Sequence, residues 1–346
     1  MQALVVTPGA AATARLADVF EPRAAPGEVL LRPLEIGVCG TDAEICAGLF
    51  GSAPKGEGHL ILGHELLAEV AADGGGFAAG DLVAATVRRS CRRCAACAAG
   101  FPDACLTGDY LERGITRLHG FASELACERP EHLVPIPREL GRLGVLAEPA
   151  SVCARAIRHA RSIGGRQPWE PARALVLGAG AVGMLATFFL RLEGLEVLTA
   201  SREGADSDKA ELVGASGASY LPVSDLEESG DFDLVVEAAG SGELMARALG
   251  LLRRNGVACI LGIDGHSGQV SVDRRTLGVD VVIGNRALFG SVNAARQDWG
   301  RAVELLVEVG TRWPDAATRL VGLRVEPGRF QEAFDYTGVK ATLRFA

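Results

Sequence analysis

The sequence predicts an α/β protein of two domains, a β-rich one followed by a doubly wound parallel sheet. Three observations point there. The chain has 346 residues, about right for two domains at ~150 residues each. Before residue 150, short apolar runs at 28–33, 66–71 and 82–87 alternate with Gly/Asp turns such as Asp73-Gly74-Gly75-Gly76 and Gly80-Asp81. Beyond it, strand patterns alternate with helical ones, the rhythm of βαβ units.

Taken in order, 150–161 reads as a helix and 164–171 as a linker. Strands follow at 174–177, 196–200, 234–237, 256–261 and 287–292. Helical patterns at 182–193, 209–214, 242–252 and 298–309 separate them. Residues 320–346 return to short strands able to rejoin the first domain. The expected division is therefore 1–155 with 300–346 for the β-rich domain, and 156–299 for the parallel sheet.

Composition narrows the class. Hydrophobic residues make up 48% and charged residues 23%, enough to build cores and too apolar for disorder. Net charge is −8, from 35 basic against 43 acidic residues. With no long Lys/Arg run, there is no electrostatic footprint for nucleic acid or an anionic membrane. Residues 174–190 are uncharged, but three glycines interrupt them, and a strand with a buried helix explains them better than a membrane span. Residues 1–14 lack a basic flank, so no export signal is expected and the location reads as cytoplasmic.

Gly178-Ala179-Gly180-Ala181-Val182-Gly183 is G-x-G-x-x-G, between a predicted strand and a predicted helix. In that setting the motif cradles a dinucleotide pyrophosphate at a helix N-terminus. Gly178, Gly180, Ala181, Val182 and Gly183 are the expected phosphate contacts. The next strand ends at Ser201-Arg202-Glu203. Ser201 stands where an acidic residue holds the ribose of NAD, and Arg202 suits the 2′-phosphate of NADP. Glu203 pulls the other way, so NADP and NAD both stay open.

Nine cysteines are present, four of them within fifteen residues. Cys91, Cys94, Cys97 and Cys105 form a four-thiolate set suited to a closed, structural Zn²⁺ site. Arg88, Arg89, Arg92 and Arg93 stand nearby as candidate positive charge around it. An iron–sulfur cluster is the alternative, and it would be coloured. Cys46, Cys127, Cys153 and Cys259 read as small buried residues. His59, His119, His132, His159 and His266 lack metal spacing among themselves. A second donor set is Cys39, His64, Glu65 and Glu148, which offers thiolate, imidazole and carboxylate to a Zn²⁺ that keeps a position for substrate.

These motifs resemble the zinc-dependent medium-chain dehydrogenase/reductase superfamily along almost the whole chain. Within it the nearest likeness is to the archaeal-type glucose 1-dehydrogenases, carried by residues 107–115, 119–121 and 285–293. The resemblance implies a GroES-like catalytic domain with a Rossmann domain, two Zn²⁺ per chain, and NADP or NAD. It implies catalytic Zn²⁺ on Cys39, His64 and Glu65 or Glu148, with Thr41 relaying the substrate proton. Glu112, Glu148 and Asn293 match sugar-contacting positions, and Ser291 and Asn293 belong to a segment that contacts the cofactor. It also suggests a homo-oligomer, a dimer or a tetramer, with the 287–292 strand pairing across it.

Three positions depart from the family. Val87 replaces a sugar-binding Asn, Ala154 an acidic residue, and Glu203 the second of two arginines. The first two leave glucose open against other aldoses, polyols, cyclitols or amino sugars. The expected reaction is hydride transfer from a sugar hydroxyl to the nicotinamide, the lactone being the product from glucose. The rival of another class is a non-catalytic dinucleotide-binding redox sensor, which intact Cys39, Thr41, His64 and Glu65 oppose.

Overall fold

The computed structural model describes residues 1–227 and 230–345. It divides into two units: Met1–Ser151, Asn293–Val307 and Val321–Ala346 in one, Val152–Val292 and Glu308–Leu320 in the other.

The ten-residue strand Val29–Val38 organises the first unit. Its alternating burial marks a strand with one face in the core. The sheet runs in the order Leu133–Pro135, Leu82–Ala85, Glu65–Val70, Val29–Val38, Ala341–Arg344, Leu323–Val325, with Ala126–Glu128 also on Val29–Val38. The C-terminal strands thus do join the first unit, and Thr342 and Glu65 both pair with Gly37. A three-stranded sheet centred on Gln2–Val6 and a small sheet of Arg88–Arg89, Leu111–Arg113 and Arg117–Leu118 complete it.

The second unit holds a six-stranded sheet, all neighbours parallel. Its order is Ser219–Pro222, Glu196–Ser201, Arg173–Leu177, Phe232–Glu237, Leu252–Ile260, Ala287–Gly290. That is 3-2-1-4-5-6 in chain order, the dinucleotide-binding arrangement. The central strands are buried along nearly their whole length, as in a parallel sheet shielded on both faces; Leu175, Leu177, Val235 and Ala258 share one buried cluster.

Two segments differ from expectation. The helix expected at 242–252 ends at Ala248, and Leu252 already pairs with Phe232. A register shift at Phe232/Leu234 and a left-handed Asn255 accommodate the early strand. Ser219–Pro222 was not expected as a strand, being short and at the sheet edge. Among the described residues, no helix is long and apolar enough to cross a membrane.

Candidate active site

Cys39 follows the Val29–Val38 strand and caps the helix Gly40–Cys46. The Thr41 N–H donates to Cys39 Sγ at 3.3 Å, and the Cys39 N–H donates to Asp42 Oδ2 at 3.0 Å. The sulfur stands where most caps place a hydroxyl or carboxylate oxygen, at the positive end of the helix. Thr41 is half-buried in the first turn.

His64 Nε2 lies 3.2 Å from Cys39 Sγ. On the other side of the ring, Nδ1 lies 3.5 Å from Asp42 Oδ1, and both atoms are buried without a hydrogen-bond partner among the described residues. A shift of a few tenths of an ångström makes that an N–H···O bond, which holds the ring with Nε2 turned toward Cys39. Carboxylates orient metal-binding histidines in this way. Burial opposes charge on His64, but the Cys39 and Asp42 charges outweigh it and raise its pKa well above the ordinary value.

Glu65 lies against Gly37, where a Cβ would sit 2.0 Å from Glu65 Oε2. Glycine is needed there for space. Lys340 Nζ donates to both Glu65 oxygens and to the Val38 carbonyl. Donor atoms of Cys39, His64 and Glu65 lie within 4.8 Å of one another, and the thiolate–imidazole–carboxylate chemistry fits Zn²⁺. Glu148 stands outside this triplet but within its field. Withdrawal from water raises its carboxyl to about 7; Glu65 adds to the rise, while His64 and Lys340 offset part of it.

Glu112 and Asn293 also meet in this unit, with Asn293 Nδ2 donating to Glu112 Oε1 at 3.2 Å. Asn293 holds a left-handed backbone, φ 62°.

The four sulfurs of Cys91, Cys94, Cys97 and Cys105 converge likewise. Cys91 and Cys97 Sγ are 3.7 Å apart, close to the ~3.8 Å edge of a tetrahedron with Zn–S near 2.3 Å. The N–H groups of Cys97 and Leu106 point at Cys94 Sγ. The neighbouring arginines correct an expectation. Arg88 pairs with Glu112, Arg89 with Glu128, Arg92 with Glu131 and Arg93 with Asp109, so each spends its charge on a carboxylate.

In the second unit, a Cβ on Gly183 would lie 2.0 Å from the Gly178 carbonyl, and one on Gly178 (φ 106°) would press on the backbone of Ala239. A Cβ on Gly180 would meet nothing within 4 Å. The helix Ala181–Leu192 has no side-chain cap, which leaves its first N–H groups for a ligand. These features fit a dinucleotide pyrophosphate. Glu203 accepts from Lys209 Nζ at 2.5 Å and from Ser201 Oγ, and Tyr220 donates to its carbonyl. Burial raises its pKa, but those hydrogen bonds prevail and bring it to about 2. Arg202 is exposed, and Ser291 bonds to buried Arg155.

Sequence spacing missed several contacts. His59 and His119 stack at 5.1 Å beside Glu57, a cluster formed by folding rather than by local spacing. The Ile61 N–H donates to His119 Nδ1 at 3.1 Å, so the ring proton sits on Nε2 and faces Glu57 at 2.7 Å. That leaves Nε2 no lone pair for a metal. Cys153 and Cys259 are buried as expected, while Cys46 and Cys127 are only half so. Asp42, Lys340 and Glu237 had no motif to mark them. Glu237 is buried beside Leu177, accepts from the Ala239 and Ser241 N–H groups, and has its pKa raised by burial.

Residues 141–345 match the family model "Glucose dehydrogenase C-terminus", and residues 25–138 match "Alcohol dehydrogenase GroES-like domain". The chain belongs to the glucose dehydrogenase family. It is 43% identical over 335 residues to a glucose 1-dehydrogenase of Methanocella arvoryzae, covering 94% of this chain and 93% of the relative. It is 42% identical over 344 residues to a glucose 1-dehydrogenase of Thermoproteus tenax, covering 97% and 96%. Among solved structures, glucose dehydrogenase of Haloferax mediterranei in complex with NADP, Zn and gluconolactone superposes with a TM-score of 0.92 at 30% identity, covering 100% of this chain and 99% of that one. The chain thus combines a GroES-like domain with a Rossmann-type parallel sheet.

Proposed function

We propose that this chain oxidises the C1 hydroxyl of glucose or a closely related aldose with NADP or NAD as hydride acceptor. It is a zinc-dependent NAD(P) sugar dehydrogenase. The observation that carries the reading is the convergence of Cys39, His64 and Glu65 donor atoms within 4.8 Å. Zinc held there by Cys39, His64 and a carboxylate, Glu65 or Glu148, would supply Lewis acidity toward the sugar hydroxyl, and the nicotinamide would take the hydride. A second zinc on Cys91, Cys94, Cys97 and Cys105 would be structural.

The chain's own groups do the rest. Asp42 orients His64. Thr41 Oγ1 accepts the hydroxyl proton and passes it on. Glu112, Glu148 and Asn293 hydrogen-bond the remaining hydroxyls and reject a sugar that leaves them unpaired. Gly178, Gly180 and Gly183 give the pyrophosphate its cradle, with Ala181 and Val182 opening the helix beneath it; Ser201 and Arg202 take the adenosine ribose, and Ser291 with Asn293 the nicotinamide end. Buried Val87, which offers the sugar no amide, favours a substrate range wider than glucose.

The same reading includes a homodimer joined along the edge strand Ala287–Gly290. Exposed Leu288 and Val292 on and after it, and Val282 and Ile283 before it, support this. A reducing, cytoplasmic setting is part of it, because both metal sites need free thiolates. Initial rates over glucose, galactose, xylose and cyclitols, with NAD and NADP in parallel, test the reading. It expects an aldose to lead, and turnover of cyclitols alone overturns it.

A further inference from the structure

Arg88 and Glu112 face each other in register on two short strands, Arg88–Arg89 and Leu111–Arg113. Both side chains are buried. The distribution of donors on the carboxylate is lopsided. Arg88 Nε and Nη2 both lie 3.0 Å from Glu112 Oε1, and Asn293 Nδ2 donates to the same oxygen. Among the described residues, nothing donates to Oε2. Outside the proposed site an arginine fork takes both oxygens of its partner, as Arg319 does with Glu211.

Arg88 is itself held on three sides. Its Nη1 donates to the carbonyls of Asp103, at 2.9 Å, and Pro102, at 3.4 Å, in the turn that leads into Cys105. Its guanidinium stacks on Tyr110, 3.8 Å from the ring centre. The planar five-donor fork of arginine can serve a carboxylate on one edge and carbonyls on another; a lysine ammonium cannot.

We propose that Arg88 is a positioning residue for sugar recognition: it turns Glu112 so that Oε1 is fully spent and Oε2 is free to accept one sugar hydroxyl. It also neutralises Glu112, so that the carboxylate can stay buried beside the substrate at little cost. Arg88 touches no reacting atom, and its effect falls on which sugar binds rather than on the hydride step. The inference rests on the sugar-dehydrogenase reading.

The test compares glucose with 2-, 3- and 4-deoxyglucose in the parent and in Arg88→Met and Arg88→Lys. Readouts are kcat, KM, and the dissociation constant of each sugar for the enzyme–NADPH complex, followed by cofactor fluorescence. The parent should prefer glucose over one deoxy analogue by ~10-fold or more, the cost of leaving a buried acceptor unpaired. In Arg88→Met that preference should collapse to within ~3-fold, through KM and sugar affinity, with NADPH affinity unchanged. Arg88→Lys should fall between the two, and serves if Arg88→Met does not fold. Adding Glu112→Gln to either variant should cost no further selectivity. The proposal is overturned if Arg88 variants lose thermal stability or kcat while keeping the parental preference. It is equally overturned if the parent turns over glucose and all three analogues alike. A parent that oxidises no aldose sinks instead the function on which the proposal stands.

Discussion

Lys340 Nζ sits 2.6 and 2.7 Å from the two carboxylate oxygens of Glu65, with both side chains almost wholly shielded from water. The lysine comes from the C-terminal end of the chain and the glutamate from a central strand, 275 residues apart. The pair keeps a carboxylate charged inside the protein, next to Cys39 and His64, where an unpaired one would be protonated or expelled.

Lys340→Met should therefore lower the unfolding free energy of the zinc-free protein by about 3–5 kcal/mol, the usual cost of leaving one buried charge without its partner. The loss should shrink when zinc is added, because a cation then compensates Glu65. Denaturant titration with chelator and with zinc reads both values; equal losses in the two conditions contradict the account.

Gly37 tests the same carboxylate from its other side. A methyl at that position would lie 2.0 Å from Glu65 Oε2 and 2.9 Å from its Cβ. Gly37→Ala should cost about 1–3 kcal/mol of stability through overpacking and displace Glu65 from Cys39 and His64. Zinc content should fall from two per chain toward one. Retention of both metals at full affinity would show that Glu65 does not need its observed place.

Beside Ser201 and Arg202, proposed above for the adenosine ribose, the ion pair with Lys209 stops Glu203 from acting as a bare negative charge. Lys209→Met should weaken NADP more than NAD, and Glu203→Gln should do the reverse, each by roughly 3–10-fold in Kd from titration of cofactor fluorescence. Equal effects on both cofactors exclude a role at the ribose.

The same pair has a signature in pH. Glu203 has an ordinary value of 4.5 and a folded value of about 2. A depressed carboxyl stabilises the fold above its unfolded pKa, and that contribution is lost as pH falls from about 4.5 toward 2. Lys209→Met should bring the Glu203 titration back up toward 4.5 and flatten the acid-side fall in stability. Acid-unfolding curves of the two proteins check the sign.

Much of this was legible in the chain itself. The fingerprint Gly178–Gly183 marked a strand, a turn and a helix at once, because Gly178 and Gly183 each answer to a contact that a side chain would block, and Gly180 leaves open space at the helix start. The four cysteines were legible for a similar reason: their ligand spacing is local. What stayed hidden depends on register between distant strands. Lys340 reaches Glu65 because Ala341–Arg344 pairs with Val29–Val38, and Arg88 faces Glu112 across a two-residue strand. The four arginines near the thiolates looked like counter-charges from their position in sequence, but folding brought a carboxylate to each. His59 and His119 lie 60 positions apart and became neighbours only in the fold.

Cys39 and His64 together should bind the metal that oxidation of a sugar hydroxyl requires. Zinc per chain and initial rate with glucose, measured side by side for the parent and for the double variant Cys39→Ser/His64→Ala, test it most directly. Two zinc ions should fall to one, with turnover reduced by at least ~10³-fold and the four-cysteine site still loaded. A double variant that folds, holds one zinc and turns over glucose at the parental rate would contradict it.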